Sequence, residues 1–548
     1  MDGRSDVLRL VGTMLLLVLA ATRNNAAVPT SSQERLRQLT RLPQVSFSAG
    51  IAFTPQRGFH LVGEAADFRN QIEKLRQKLA EAPADPHRLV KLAELQKASG
   101  DVGGAYLASE RATELFRQQG AEDSQDVELL VGYGDALQLQ NKLSAAERVY
   151  RRAVQVAPRD WRGHAALARH LAVGALSALL PSHLEGADTP LNSALASELR
   201  AFPPGPRQVE TSKRVLAEAR SAVERAVELA PDQALPRQAR ASVAATERFS
   251  EAVLSGGDPA GEFDARRAEQ AIFNPESVAD LRAAARAAND PRAIGVATLC
   301  EVLAEALERG LRHAEEIVAR DVWSNLTEHT RQAVRDAVAR LQSLAQDAEP
   351  DRAAVALAIL GEIQLHVLRD ASGAETTLRR AVALDPANEY AWETLTLLLA
   401  QSQRYEPLRE VCQARVRRND TVRSRVLLAK ALEKTRRFEE MLEVAERTQR
   451  RYRSNLLANL TYGAALLVAG ADEAARARAL QFIAKASQLA GEAPPPDVAV
   501  EILYQRGLYF ALRGQPAVSR ASLRQLLAIQ PDHREAAEAL KALDQAGD

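Results

Sequence analysis

The stretch VELLVGYGDALQLQNKLSAAERVYRRAVQVAP, Val127–Pro158, decides the fold. Leu130, Tyr133, Gly134 and Leu137 fall at helical spacing and mark a first helix, with Asn141 at its end. Ala146, Tyr150 and Ala153 mark a second helix, closed before Pro158. Near the other end of the chain, EILYQRGLYFALRGQPAVSRASLRQLLAIQP, ending at Pro531, places Leu503, Gly507, Phe510, Gly514, Leu523 and Pro531 at matching offsets. Two helices and two turns therefore recur within about 34 residues. Small residues such as Gly134 and Ala146 let paired helices approach closely, since a larger side chain would overpack the contact at a cost of about 1–3 kcal/mol. Gly100, Asn141, Gly470 and Gly514 stand where the first helix must stop, and these types tolerate the left-handed conformation of such a stop. Pro158, Pro231, Pro386 and Pro531 end the second helix or open the next pair.

Working outward, PHRLVKLAELQKASGDVGGAYLASERATELF from Pro86 carries Leu89, Leu92, Ala93, Ala105 and Ala112 in phase. Further copies surround Gly361 and Ala374, Trp392 and Tyr405, Leu428 and Phe438, and Tyr462 and Gly463. These residues resemble the tetratricopeptide repeat (TPR) family, with gaps, from about Pro86 to the end. The resemblance implies an all-α fold, a right-handed superhelical α-solenoid of TPR helix-turn-helix repeats. A coiled coil is excluded by the missing heptad.

Composition agrees. In 548 residues, hydrophobic types make up 46%, charged types 26% and aromatic types only 4%, which suits helices over sheets. Lys+Arg 71 balances Asp+Glu 71, so the chain is not a basic nucleic-acid binder and no nucleic-acid partner is expected. Cys300 and Cys412 can form neither a disulfide framework nor a cysteine metal site and read as small buried apolar residues.

Arg4 and Arg9 precede the apolar stretch Leu10 to Ala21, the order of a secretory signal. The thirteen residues between Arg9 and Arg23 would reach about 20 Å as a helix, short of a roughly 30 Å hydrocarbon layer. We therefore expect residues 1–27 to be a signal peptide or a short N-terminal anchor, and the protein to be exported, periplasmic or extracellular. The alternative is anchoring by that segment, the only membrane contact expected. Residues 28–64 form an irregular or short-strand arm, with QVSFSAGIAF and FHLVG as possible paired strands. An N-terminal array then spans 65–249, with an insertion at about 174–211; a degenerate helical region spans 250–350; a C-terminal array spans 351–531; and a capping helix spans 532–548.

No P-loop, dinucleotide glycine fingerprint, HExxH or CxxC occurs, so neither catalysis nor a cofactor nor a metal is expected. His164 and His170, six apart, point to different faces of one helix and cannot share an ion. The triplets at Asn325, Asn419 and Asn459 satisfy the glycosylation sequon, which occurs by chance in a chain this long.

The family resemblance implies that a ligand peptide lies along the first helices of the repeats. Carrying its ligand-reading positions onto the repeat that begins at Val422 gives Arg423, Val426, Lys430, Glu433 and Lys434. Arg423, Lys430 and Lys434 form one cationic stripe, which fits an acidic or carboxylate-bearing peptide. Tyr390 and Tyr504 could add aromatic contacts, whereas Trp392 reads as packing between repeats. The expected role is a non-enzymatic scaffold or adaptor for a partner protein or peptide. The alternatives are a cell-envelope component of polysaccharide export or outer-membrane assembly, and an enzyme sited in the degenerate region or the insertion.

Overall fold

The computed structural model describes residues 30–43, 51–54, 57–62, 67–180, 195, 199, 203–254, 265–311, 317, 320–346, 349–418, 420–469, 473–491, 494 and 496–545. The expected signal or anchor at 1–27, the expected turn at Gly470 and most of 181–202 lie outside them.

The described residues divide into two compact units, Ser48–Leu398 and Met1–Phe47 with Leu399–Asp548. The boundary thus cuts the expected arm, giving its first part to one unit and its strands to the other.

In the larger unit, β1 (Ile51–Thr54) and β2 (Gly58–Leu61) form an antiparallel hairpin, Ile51 opposite Leu61 and Phe53 opposite Phe59. The helices that follow are α1 (Phe68–Glu81), α2 (Pro86–Ala98), α3 (Val102–Gln118), α4 (Val127–Leu139), α5 (Leu143–Val156), α6 (Trp161–Ser177), α7 (Pro206–Leu229) and α8 (Ala234–Leu254). Then come α9 (Ala265–Ile272), α10 (Pro275–Ala288), α11 (Pro291–Glu308), α12 (Glu328–Leu344), α13 (Pro350–His366), α14 (Ala371–Leu384) and the start of α15 (Glu389–Gln401). From α1 to α8 each helix packs on the next, and α2 touches α4, α4 touches α6 and α6 touches α8. These first helices of successive pairs form one continuous face, which we call the A face.

In the region 250–350 the short helix α9 packs on α8 and α11, while α8 packs on α10, α10 on α11, α11 on α12 and α12 on α13. Its pairs continue the array although their sequence phase is poor. Helix α7 starts at Pro206, inside the stretch expected to be insertion, with Pro at its first turn where a missing N–H costs nothing.

The smaller unit holds α16 (Tyr405–Arg418), α17 (Val422–Lys434), α18 (Phe438–Arg451), α19 (Leu456–Ala469), α20 (Glu473–Ala490), α21 (Pro496–Leu512), α22 (Pro516–Ile529) and α23 (Arg534–Asp544). Here too each helix packs on the next, and α17, α19, α21 and α23 line the A face. It also holds an N-terminal helix, Thr30–Leu39, labelled α24. Each unit is an all-α solenoid, the hairpin apart.

Three local devices repeat. Aspartates cap helices: Asp85, Asp101, Asp126, Asp160, Asp290 and Asp370 each accept a backbone N–H of the first turn. The turn between successive helices uses a left-handed residue, at Gly100, Asn141, Arg369, Gln403, Arg436 and Gly514. The small residue of the first helix receives a large one from the second: a Cβ on Gly134 would stand 2.5 Å from Cε1 of Tyr150, one on Gly361 2.6 Å from Cγ of Leu378, and one on Gly507 2.8 Å from Cδ2 of Leu523.

Candidate peptide groove

In the smaller unit the A face is occupied by the chain's own N-terminal segment. Helix α24 lies against α21 and α23. Its Leu36 is fully buried among Val500, Tyr504, Leu508 and Leu543. Beyond the helix, residues 40–43 have no regular secondary structure, and the face grips their backbone. The Tyr504 hydroxyl donates to the Leu39 carbonyl at 2.6 Å. Gln505 Nε2 donates to the Arg41 carbonyl at 2.9 Å, and Lys430 Nζ to the Leu42 carbonyl at 2.8 Å. In the other sense, the Leu42 N–H donates to Glu433 Oε1 at 2.6 Å.

One side chain is read as well. Arg41 is buried, paired with Glu501 at 3.0 Å and with its guanidinium carbon 4.4 Å from the centre of the Tyr504 ring. Glu535 lies 3.9 Å away. Burial alone would pull the Arg41 guanidinium down, but Glu501, Tyr504 and Glu535 together hold it above its ordinary value, so it is a stable cation. Lys430 goes the other way: burial holds its ammonium below the usual lysine range, against the pull of Glu433 at 3.0 Å. Burial likewise pushes the Tyr504 phenol up, so it stays a hydrogen-bond donor.

The residues singled out from sequence separate here. Lys430 and Tyr504 come together on this face, holding the chain's own backbone. Arg423 is half-buried on α17 and Lys434 is exposed at its end. Tyr390 belongs to the larger unit and is buried in its core, where its hydroxyl has no hydrogen-bond partner among the described residues. Trp392 Nε1 donates to the Pro386 carbonyl at 3.0 Å. The stripe is thus not a free cationic surface: Lys430 is neutralised by Glu433, and the side chain seated beside it, Arg41, is a cation.

Glu501, Gln505 and Glu535 were missing from the sequence-based site. A signal for Glu501 existed. With Ala429 and Gly507 as equivalent small residues, Glu501 stands at the offset of Arg423, and Tyr504 at that of Val426. Nothing in the sequence marked Arg41.

In the larger unit the hairpin takes a comparable place, β2 against α8 and α11, both on the A side of their pairs. Beside it lies a cavity of about 490 Å³ whose lining includes His60, Lys91, Asp135, Tyr150 and Arg169. Tyr150 donates to Asp135 at 2.7 Å, and burial pushes the Asp135 carboxyl above its usual range against the pull of Arg169.

The short first helix with a small residue at its middle, the second helix filling it and the left-handed turn between them recur along both units, and the first helices carry the gripping face. These are helix-turn-helix repeats stacked as an all-α solenoid, the fold that the sequence resemblance implies. No family model and no curated protein matches the sequence. Solved structures similar to this helical array include yeast Tom70, at 11% identity over 88% of this chain and 92% of that one, with a TM-score of 0.35. Another is YrrB, described as a TPR protein with an unusual peptide-binding site, at 17% identity over 37% of this chain and 97% of that one, TM-score 0.28. Pseudomonas aeruginosa pilF matches at 17% over 40% and 90%, TM-score 0.29. With every one of these scores below 0.5, the assignment of the repeats stands on the helix pairing of the chain itself.

Among the described residues no cluster of His, Cys, Asp and Glu could hold a metal ion, and no helix is long and apolar enough to cross a membrane. Cys300 and Cys412 are both buried. Asn325 is exposed and Asn459 fully buried; Asn419 lies outside the described residues.

Proposed function

We propose that this protein is a non-enzymatic scaffold that holds an extended segment of a partner protein on the A face of its C-terminal repeats. The observation that carries this reading is the grip on residues 39–42, in which four side chains from two helices satisfy the carbonyls of Leu39, Arg41 and Leu42 and the N–H of Leu42. Contacts to the backbone depend little on sequence and hold whatever chain lies extended there, while the acidic pocket around Arg41 supplies selection. The exported location expected from residues 1–27 belongs to the same proposal.

The test is photocrosslinking from an unnatural residue at Lys434, which is exposed beside Lys430, in the native cell. The reading expects a crosslinked partner segment that disappears when Glu433 and Glu501 are both replaced by lysine. Turnover of a small substrate by the purified chain without any partner would overturn it.

A further inference from the structure

Helix α24, TSSQERLRQL, has only ten residues and two leucines, too short and too polar to hold a helix in isolation. Its order depends on what it touches: Leu36 in the apolar cluster of the smaller unit, then the main-chain grip and the Arg41 pair. Such a segment opens at less cost than the solenoid beneath it, because few contacts are lost and the array's own helix-to-helix contacts stay intact. The bed it would leave keeps a definite chemistry. It offers Glu501 and Glu535 to a cation, the Tyr504 ring to its face, and donors and acceptors to an extended backbone.

We propose that residues 36–43 are an internal occupant of this groove, and that the external ligand taking their place is a protein segment that leaves a short helical end carrying a leucine and continues extended through an arginine followed by a leucine. The proposal rests on the scaffold reading above and names the ligand class of that same groove. The tethered arm competes at high local concentration, so an external segment binds weakly until the arm is loosened. The acidic peptide suggested by the stripe on α17 is disfavoured here, because a carboxylate in the place of Arg41 would face Glu501 and Glu535.

The experiment uses the full chain and a fluorescent peptide of residues 33–45, QERLRQLTRLPQV, read by anisotropy. The peptide binds the Arg41→Ala and Leu36→Ala chains about tenfold or more tighter than the wild-type chain, because each substitution frees the groove. An Arg41→Glu peptide loses that binding, and so does the Arg41→Ala chain carrying Glu501→Lys. Circular dichroism confirms that each variant keeps its helices; if Arg41→Ala does not, Leu36→Ala carries the comparison. Equal affinity for all chains, or an Arg41→Glu peptide that binds as well, overturns the proposal. Dimerisation of the wild-type chain that vanishes in Leu36→Ala would give the groove to the arm of a second copy and also overturn it. Any of these three outcomes beside a persisting Lys434 crosslink leaves the scaffold reading standing, whereas no peptide binding and no crosslink ends both.

Discussion

The ammonium of Lys430 donates to the carbonyl of Leu42, a residue 388 positions earlier in the chain, across 2.8 Å. Both Lys430 and its ion partner Glu433 are largely buried, their side chains 13% and 7% exposed. Removing one member of a buried pair leaves an uncompensated charge. Lys430→Met should therefore lower the stability of the C-terminal repeats by about 3 kcal/mol in urea denaturation, and Lys430→Met with Glu433→Gln should recover part of the loss. A single substitution without effect would mean that the arm does not close over this pair.

Gly134 lies under the ring of Tyr150, where a Cβ would stand 2.5 Å from Cε1. A ring held by a hydrogen bond to Asp135 has little room to yield. Gly134→Ala should cost about 1–3 kcal/mol although alanine favours helix, and adding Tyr150→Leu should relieve much of it. Denaturant midpoints of the three chains decide the point.

Gln403 and Arg436 hold left-handed backbone at φ 54° and 59°, and both side chains are exposed. Glycine adopts that conformation without the Cβ penalty. Gln403→Gly and Arg436→Gly should each raise stability by about 0.5–1 kcal/mol, opposite to the usual effect of introducing glycine. A lowered melting temperature would contradict the turn geometry.

His366 is 1% exposed and neither ring nitrogen has a hydrogen-bond partner among the described residues. Burial, helped by the Arg369 charge, lowers it from 6.5 to about 4. The folded chain thus keeps this imidazole neutral while the unfolded chain protonates it. Stability is unaffected above pH 6.5 and falls as pH drops towards 4, by about 2–3 kcal/mol from this group. Stability curves at pH 7 and pH 4.5 should show a smaller acid loss for His366→Leu than for the wild-type chain.

Much of the repeat was legible because it is local. Leu130, Tyr133, Gly134 and Tyr150 lie within one helix pair, so their spacing alone fixes which faces meet. The left-handed stops were legible at Gly100, Asn141 and Gly514, whose residue types favour them, and hidden at Arg369, Gln403 and Arg436, where the hairpin imposes the same angle on residues that do not. The pairs between Ser250 and Glu349 were blurred for a similar reason: α11 is buried nearly all round, so its sequence lacks a polar stripe to set its phase.

The sequence by itself determined the helix pairs and their small-to-large fit, since each follows from contacts a few turns apart along the chain, while the family resemblance pointed to Lys430 and Tyr504 as partner-facing. Tertiary structure alone decided what these two side chains hold, and that Tyr390 lies buried in the core of the other unit. Arg41 finds Glu501 across 460 positions, and no periodicity links an irregular arm to a helix so distant. Such a pairing is set by tertiary shape and charge, which bring the buried Arg41 to the largely buried Glu501 and to the partly exposed Glu535.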